Sequence, residues 1–142
     1  MSHSLPEAFS LRVTSDPFLG SDLLHALNSE VPVSIRMNPT KVQPEMDIQA
    51  QVTWCNHAFY LKSRPLFTID PLFHAGSYYP QEAGSMLVDF VLRSIDLPSE
   101  PIVLDLCAAP GGKSTLFASF LEEKGLLVSN EIVPQRAHIL RE

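Results

Sequence analysis

Residues 104–115 read LDLCAAPGGKST, a short apolar run that stops at a cluster of small residues and glycines before meeting a lysine and two hydroxyls. Residues 102–106 (IVLDL) are apolar but for one acid, the pattern of a central parallel strand buried on both faces. After Gly111 and Gly112, Leu116, Phe117, Phe120 and Leu121 fit a helix packing back on that strand, and Gly125 is a natural stop. LLVSNE (126–131) then supplies a second strand. The order strand, turn, helix, strand predicts an α/β unit with a right-handed crossover, whose ligands bind at the carboxyl ends of the strands. The loop sits there.

The phosphate-loop pattern G-x-x-x-x-G-K-[ST] requires glycine where Cys107 stands, and Pro110 removes a backbone N–H that such a cradle points at phosphate. The G-x-G-x-x-G dinucleotide pattern fails because the two glycines are adjacent. The chain does not read as a nucleoside triphosphatase. Ala108, Ala109, Gly111 and Gly112 can instead bring backbone close to a ligand with little side-chain bulk. Glu131 closes the next strand about 20 residues beyond the loop, where Rossmann-type folds bond ribose hydroxyls. That combination fits an adenosine cofactor not held by a pyrophosphate, S-adenosyl-L-methionine being the candidate. It equally fits a tight turn with Glu131 merely solvated.

The rest of the chain bounds these readings. Its 142 residues are 45% hydrophobic and 18% charged, as in a globular protein. No apolar run approaches the roughly 18 residues that span a bilayer, so a membrane protein is not expected. MSHSLPEAFS has no basic segment leading into an apolar one, which predicts a cytoplasmic location. Cys55 and Cys107 are too few for a disulfide framework and read as free thiols. The histidines lack metal-ligand spacing, and no metal is expected. A net charge of −6 argues against gripping nucleic acid by bulk electrostatics, leaving only a local basic patch.

Towards the N-terminus, Asp16-Pro17 reads as a helix start, with Phe18, Leu19, Leu23, Leu24 and Leu27 at helical spacing over 17–28. In VPVSIRMNP, Val33, Ile35 and Met37 alternate with Ser34, Arg36 and Asn38, predicting a half-buried strand with Arg36 and Asn38 on its exposed face. A second β-rich stretch runs from Val52 to Leu61. Prolines and glycines over 65–80 suggest a boundary near residue 75. A small α+β N-terminal domain (1–75) would then precede the α/β unit (76–142). From Gln81, the residues Ala83, Met86, Leu87, Phe90 and Val91 follow one helical face.

DLCAAPGGKST closely resembles the first cofactor motif of the NOL/NOP/Sun family of RNA 5-methylcytosine methyltransferases. SIRMNPTK (34–41) resembles the family's S-I-R-x-N segment, GSYYPQEAGSM (76–86) its Y-Q-E-A-S-S helix start, and NEIVPQRAHIL (130–140) its second motif. Gly84 stands where the family often has serine. The blocks keep the family's order over most of 31–142 and look most like the bacterial branch acting on ribosomal RNA. The resemblance implies a Rossmann-like methyltransferase domain in which Cys107, Ala108, Ala109, Pro110, Gly111, Gly112 and Lys113 line the S-adenosyl-L-methionine site, with Glu131 on the ribose hydroxyls.

The family's chemistry uses one cysteine in a Thr-Cys context, which adds to cytosine C6, and another in a Pro-Cys context, which helps release product. Here Cys55 follows Trp54 and Cys107 follows Leu106, so neither context occurs. The expectation is an N-terminal fragment with a truncated methyltransferase domain, cofactor loop present, no catalytic residue and no activity of its own. Its strands would then be partly uncovered, favouring self-association. RNA contacts are expected from Arg36, Asn38, Lys62 and Arg64, with Lys41 nearby. The alternative is a binding or adaptor module that keeps the fold without chemistry.

Overall fold

The computed structural model describes residues 5–18 and 20–141; Leu19, read as part of the helix over 17–28, lies outside them. The chain divides into two compact units, Met1–Pro32 and Val33–Glu142.

The first unit pairs α1 (Glu7–Ser15) with α2 (Gly20–Asn28). The sequence reading missed α1, because Phe9, Leu11 and Val13 are spaced two apart and mark no single helical face. Asp16 does not start a helix. It follows the last residue of α1, and its carboxylate accepts from the Phe18 amide at 2.8 Å, closing a turn before α2.

In the second unit a four-stranded antiparallel sheet has the order β2-β3-β1-β4, from β1 (Val33–Met37), β2 (Ile48–Gln51), β3 (Ala58–Leu61) and β4 (Tyr78–Pro80). The β-rich stretch over 52–61 is a turn leading into β3, with β2 before it. Pro80 is tolerated because β4 is an edge strand. The boundary expected near residue 75 falls between α3 (Pro71–His74) and β4, and β4 pairs with β1 (Arg36↔Tyr79), so the sheet continues across it.

Two apolar clusters hold this sheet. Ile35, Met37, Leu61, Phe67 and Tyr78 form one, and Val52, Cys55, Ala58, Ala83 and Met86 the other. Trp54 joins the second, its indole N–H donating to Ala83 O at 2.7 Å. β1 is therefore covered on both sides, and the exposed face expected for Arg36 and Asn38 does not exist. Arg36 is 5% exposed, and half-buried Asn38 donates to Gly76 O at 3.0 Å. The alternation was real, but the polar face lies against another element rather than water.

A short 3₁₀ turn, Gly84–Met86, leads into α4 (Leu87–Ser94). Ala83 and Met86 enter the core, whereas Leu87, Phe90 and Val91, read as the buried stripe, are exposed. The buried side of α4 carries Asp89, paired with Arg93 at 2.9 Å.

β5 (Ile102–Asp105) and β6 (Leu126–Ser129) form a parallel pair in register Ile102↔Leu126 to Asp105↔Ser129, joined through α5 (Gly112–Leu121), and α6 (Pro134–Arg141) follows. β5 is not buried on both faces. Ile102 is 76% and Leu104 56% exposed, with Leu126 and Val128 beside them, because α5 packs on one face only. α5 ends at Leu121, and Glu122 rather than Gly125 takes a positive φ (53°). Gly125 is required for a close approach, since a Cβ there would stand 2.5 Å from Pro101 O.

One polar contact makes this fold pH-sensitive. The Tyr78 hydroxyl donates to Asp70 Oδ2 at 2.6 Å, and the Leu72 amide donates to Oδ1 at 2.9 Å. The tyrosine first, and then the Leu72 amide, hold the carboxyl below its ordinary 3.8. A depressed folded pKa contributes stability that is full above the unfolded value and is lost as pH falls through the folded one. Tyr78→Phe should therefore cost stability at pH 5–7, with the difference from wild type shrinking below about pH 3.8; urea midpoints across that range measure it.

Candidate functional site

The loop between β5 and α5 is built by backbone bonds. The Asn130 amide donates to Asp105 O at 2.8 Å, the Ala108 amide to Asn130 O at 2.9 Å, and the Gly111 amide to Ala108 O at 2.8 Å. These join the carboxyl ends of both strands to a turn containing a cis Ala109–Pro110 bond. Gly111 has φ +114°, which an L side chain rarely adopts. A Cβ there would meet only Leu140 Cδ1, at an ordinary 3.5 Å, so backbone conformation and not crowding dictates glycine.

Beneath the loop runs a polar chain that the sequence reading missed. Ser114 Oγ donates to Asp105 Oδ2 at 2.7 Å, Ser129 Oγ to Ser114 Oγ at 3.2 Å, and the Cys107 amide to Asp105 Oδ1 at 3.3 Å. Asp105, the single acid of IVLDL, is buried because it ties strand, loop and helix together. An acid in an otherwise apolar strand was its only signal.

The expected site residues are brought together in part. Ala108, Ala109 and Gly111 are buried in the turn and Gly112 is half-buried, while Cys107, Pro110 and Lys113 are exposed. Glu131 lies just beyond β6 rather than at its end. Arg136 joins loop and acid: its Nη2 donates to Ala109 O, and Nη1 stands 3.8 Å from Glu131 Oε2. A concavity of about 550 Å³ lies over β6 between α5 and α6, lined by Thr115, Ala118, Leu127, Glu131, Leu140 and others; Cys107–Lys113 do not line it.

Glu131 carries the site's clearest unmet demand. Oε1 accepts from the Val133 amide at 3.0 Å, whereas Oε2 is buried with no hydrogen-bond donor, the side chain being 4% exposed. The Val133 amide holds the carboxyl below its ordinary range against the opposing effect of burial, with help from Arg136. Glu131 is thus an ionised acceptor whose Oε2 has no hydrogen bond, only the 3.8 Å ion pair with Arg136. A buried acceptor left unpaired is costly.

The residues expected to meet RNA are dispersed in role. Arg36 is inside, so the contact read for it is corrected: its guanidinium donates to Gln81 Oε1, Ser119 Oγ, Gly112 O and Thr115 Oγ1. Lys62 is exposed and paired with Asp47 at 2.8 Å, and Arg64 lies 5.5 Å from the Phe67 ring centre. Cys55 is buried, and burial, reinforced by Asp89, pushes its thiol up. Among the described residues no cluster of three or more His, Cys, Asp or Glu could hold a metal, and no helix is long and apolar enough to cross a membrane.

Comparisons with known proteins bear on this geometry. Residues 5–83 match the family described as the N-terminal domain of 16S rRNA methyltransferase RsmF, and residues 93–142 match 16S rRNA methyltransferase RsmB/F. Ribosomal RNA small subunit methyltransferase F of Vibrio cholerae is 31% identical over 96% of the chain, and that of Shewanella frigidimarina 34% over 75%. The chain spans 32% and 24% of their respective lengths. Among solved structures, PH0851 superposes with a TM-score of 0.76 at 26% identity, covering 96% of this chain and 32% of that one. A methyltransferase homologue from Pyrococcus horikoshii gives 0.75 at 24%, covering 97% and 48%. The fold is that of an N-terminal domain followed by the first part of an α/β methyltransferase domain. With just over half of its residues in the first match, the chain belongs to the 16S rRNA methyltransferase RsmF family.

Proposed function

We propose that this chain is the N-terminal portion of an S-adenosyl-L-methionine-dependent ribosomal RNA cytosine-5 methyltransferase, acting in the cytoplasm. The observation that carries the cofactor reading is Oε2 of ionised Glu131, buried without a hydrogen bond beside the small-residue loop. Two neighbouring ribose hydroxyls are donors of the kind this acceptor lacks. Cys107, Ala108, Ala109, Pro110, Gly111, Gly112 and Lys113 would hold the remainder of the ligand, which when bound supplies a methyl group on a sulfonium. Arg136 orients both walls, binding Ala109 O and Glu131 together.

Residues 1–75 would serve RNA and residues 76–142 the cofactor, with Lys62 and Arg64 exposed just past the end of β3. Neither cysteine suits attack on cytosine. Cys55 is buried with its thiol pushed up, which depletes the nucleophilic thiolate, and Cys107 belongs to the cofactor loop.

Binding of S-adenosylhomocysteine by the isolated chain should be measurable but weaker than micromolar, since the chain is about a third of the length of its relatives. Isothermal titration tests this. Glu131→Ala should remove the binding, as should Gly111→Val, which places a branched residue at φ +114°. Binding untouched by Glu131→Ala would end the ribose assignment.

With tritiated S-adenosylmethionine and unmodified ribosomal RNA, the chain should incorporate no label, whereas a version extended to the relatives' length should. Label incorporated by the chain and lost on Cys107→Ala would make that thiol catalytic. The uncovered apolar face of β5 and β6 supports self-association, and sedimentation velocity should show a dimer or larger species that Leu104→Glu returns to monomer.

A further inference from the structure

Arg36 is a buried side chain that joins the antiparallel sheet to the cofactor loop's helix. Nε donates to Gln81 Oε1 at 3.2 Å, Nη1 to Ser119 Oγ at 3.4 Å, and Nη2 to Gly112 O at 3.4 Å and to Thr115 Oγ1. Every partner is a neutral oxygen, and three of them lie on α5. Among the described ion pairs Arg36 takes no part, and Asp89, the nearest acid facing it, is bound by Arg93 at 2.9 Å.

That placement is poor for stability alone. A buried cation without a bonded carboxylate carries a desolvation cost, and the first turn of a helix is the positive end of its dipole. A neutral or apolar residue would fill the same space at less cost. What the guanidinium supplies is geometry, since its planar fork fixes directions that a flexible ammonium does not. The two Nη donors reach α5 at its first residue and at one and two turns on, while Nε fixes the fork to Gln81.

Gln81 is itself bonded on three sides. Its amide donates to Ser34 O at 3.1 Å, its carbonyl accepts from Ser34 Oγ at 2.6 Å, and its Nε2 donates to Ser85 Oγ at 3.1 Å. Thr115 continues the line into the loop, because both its amide and its hydroxyl donate to Gly111 O at 2.8 Å. From the next position of the sheet, Tyr79 Oη reaches Pro110 O at 3.4 Å. The loop is therefore braced from behind by the sheet through Arg36 and Tyr79, and from the other side by Arg136.

We infer that Arg36 is a positioning residue of the cofactor site: it sets the azimuth of α5 against the sheet, and through Thr115 and Gly111 the shape of the loop that receives the ligand. This rests on the reading of the loop as a cofactor site. The small sheet then acts on cofactor affinity without touching the cofactor.

The test compares Arg36→Gln and Arg36→Lys with Leu61→Ala, a core change on the same sheet, in the full chain. S-adenosylhomocysteine titrations followed by NMR give affinity, amide exchange gives loop order, and thermal unfolding gives stability. Arg36→Gln should weaken affinity about tenfold or more and lose about tenfold protection at Gly111 and Thr115. Arg36→Lys should not rescue either, since it keeps the charge but not the fork. Leu61→Ala should lower the Tm at least as far and leave affinity within about twofold, because it removes packing and no loop contact.

The inference fails if Arg36→Gln leaves loop exchange unchanged, or if affinity and exchange fall with Tm alike in Arg36→Gln and Leu61→Ala. Wild-type chain that binds no S-adenosylhomocysteine would instead sink the cofactor reading, and the exchange data would still decide whether Arg36 shapes the loop. Should Arg36→Gln not fold, Thr115→Val and Ser119→Ala remove its α5 acceptors one at a time and carry the same expectation.

Discussion

The guanidinium of Arg36 needs donors satisfied on several sides at once, and the second unit is arranged around that need. β1 must lie in the middle of its sheet so that the side chain is screened from water. Gln81 must follow β4 so that an acceptor stands beside Nε, and α5 must present Gly112, Thr115 and Ser119 on one side. An arginine buried without those partners would be strongly destabilising. Satisfied, it holds two sheets that share no strand at a fixed setting, and the loop between β5 and α5 lies at the junction.

The two halves of that unit are held by different forces. The antiparallel sheet rests on apolar clusters centred on Ile35 and on Met86, both fully buried. The parallel pair leaves much of its apolar surface in water and relies on hydrogen bonds: Ser114 to Asp105, Ser129 to Ser114, and Asn130 to Asp105 O and Leu106 O at the end of β5. Hydrogen bonds contribute about 1 kcal/mol each when solvent competes, less than a buried aliphatic side chain. The candidate site is thus placed on the less deeply buried half, where local opening is easiest, and is steadied by the more deeply buried one. Arg36, Tyr79 and Arg136 do the steadying, each through a backbone carbonyl of the loop or of α5's first turn.

Much of the site could be read from residue order. The small residues of 108–112 and an acid about 20 residues further on each follow from what a ligand-binding turn between two parallel strands needs. Arg136 was within a quoted motif but had no assigned role, because nothing in NEIVPQRAHIL says that its first helical turn folds back to Ala109 O. Arg36 was read the wrong way round. Period-two alternation identifies two faces and names the apolar one, but whether the other meets water or another element is a question about neighbours far along the chain, here residues 112–119.

The sequence by itself determined the local elements and their chemistry: the turn at 107–112, the strands that frame it, the acid at 131, and, through its motifs, the family. Short-range constraints suffice for these, since a glycine at positive φ, an apolar run and a small-residue turn are satisfied within a few residues. Tertiary structure alone decided which polar groups are hydrogen-bonded inside the fold and which are not. Arg36 and Asp105 are consumed by partners on other elements, whereas Oε2 of Glu131 is buried without a hydrogen bond, facing only the Arg136 ion pair. A polar atom's availability depends on every donor that packing brings to it, and those donors come from positions that sequence spacing does not connect.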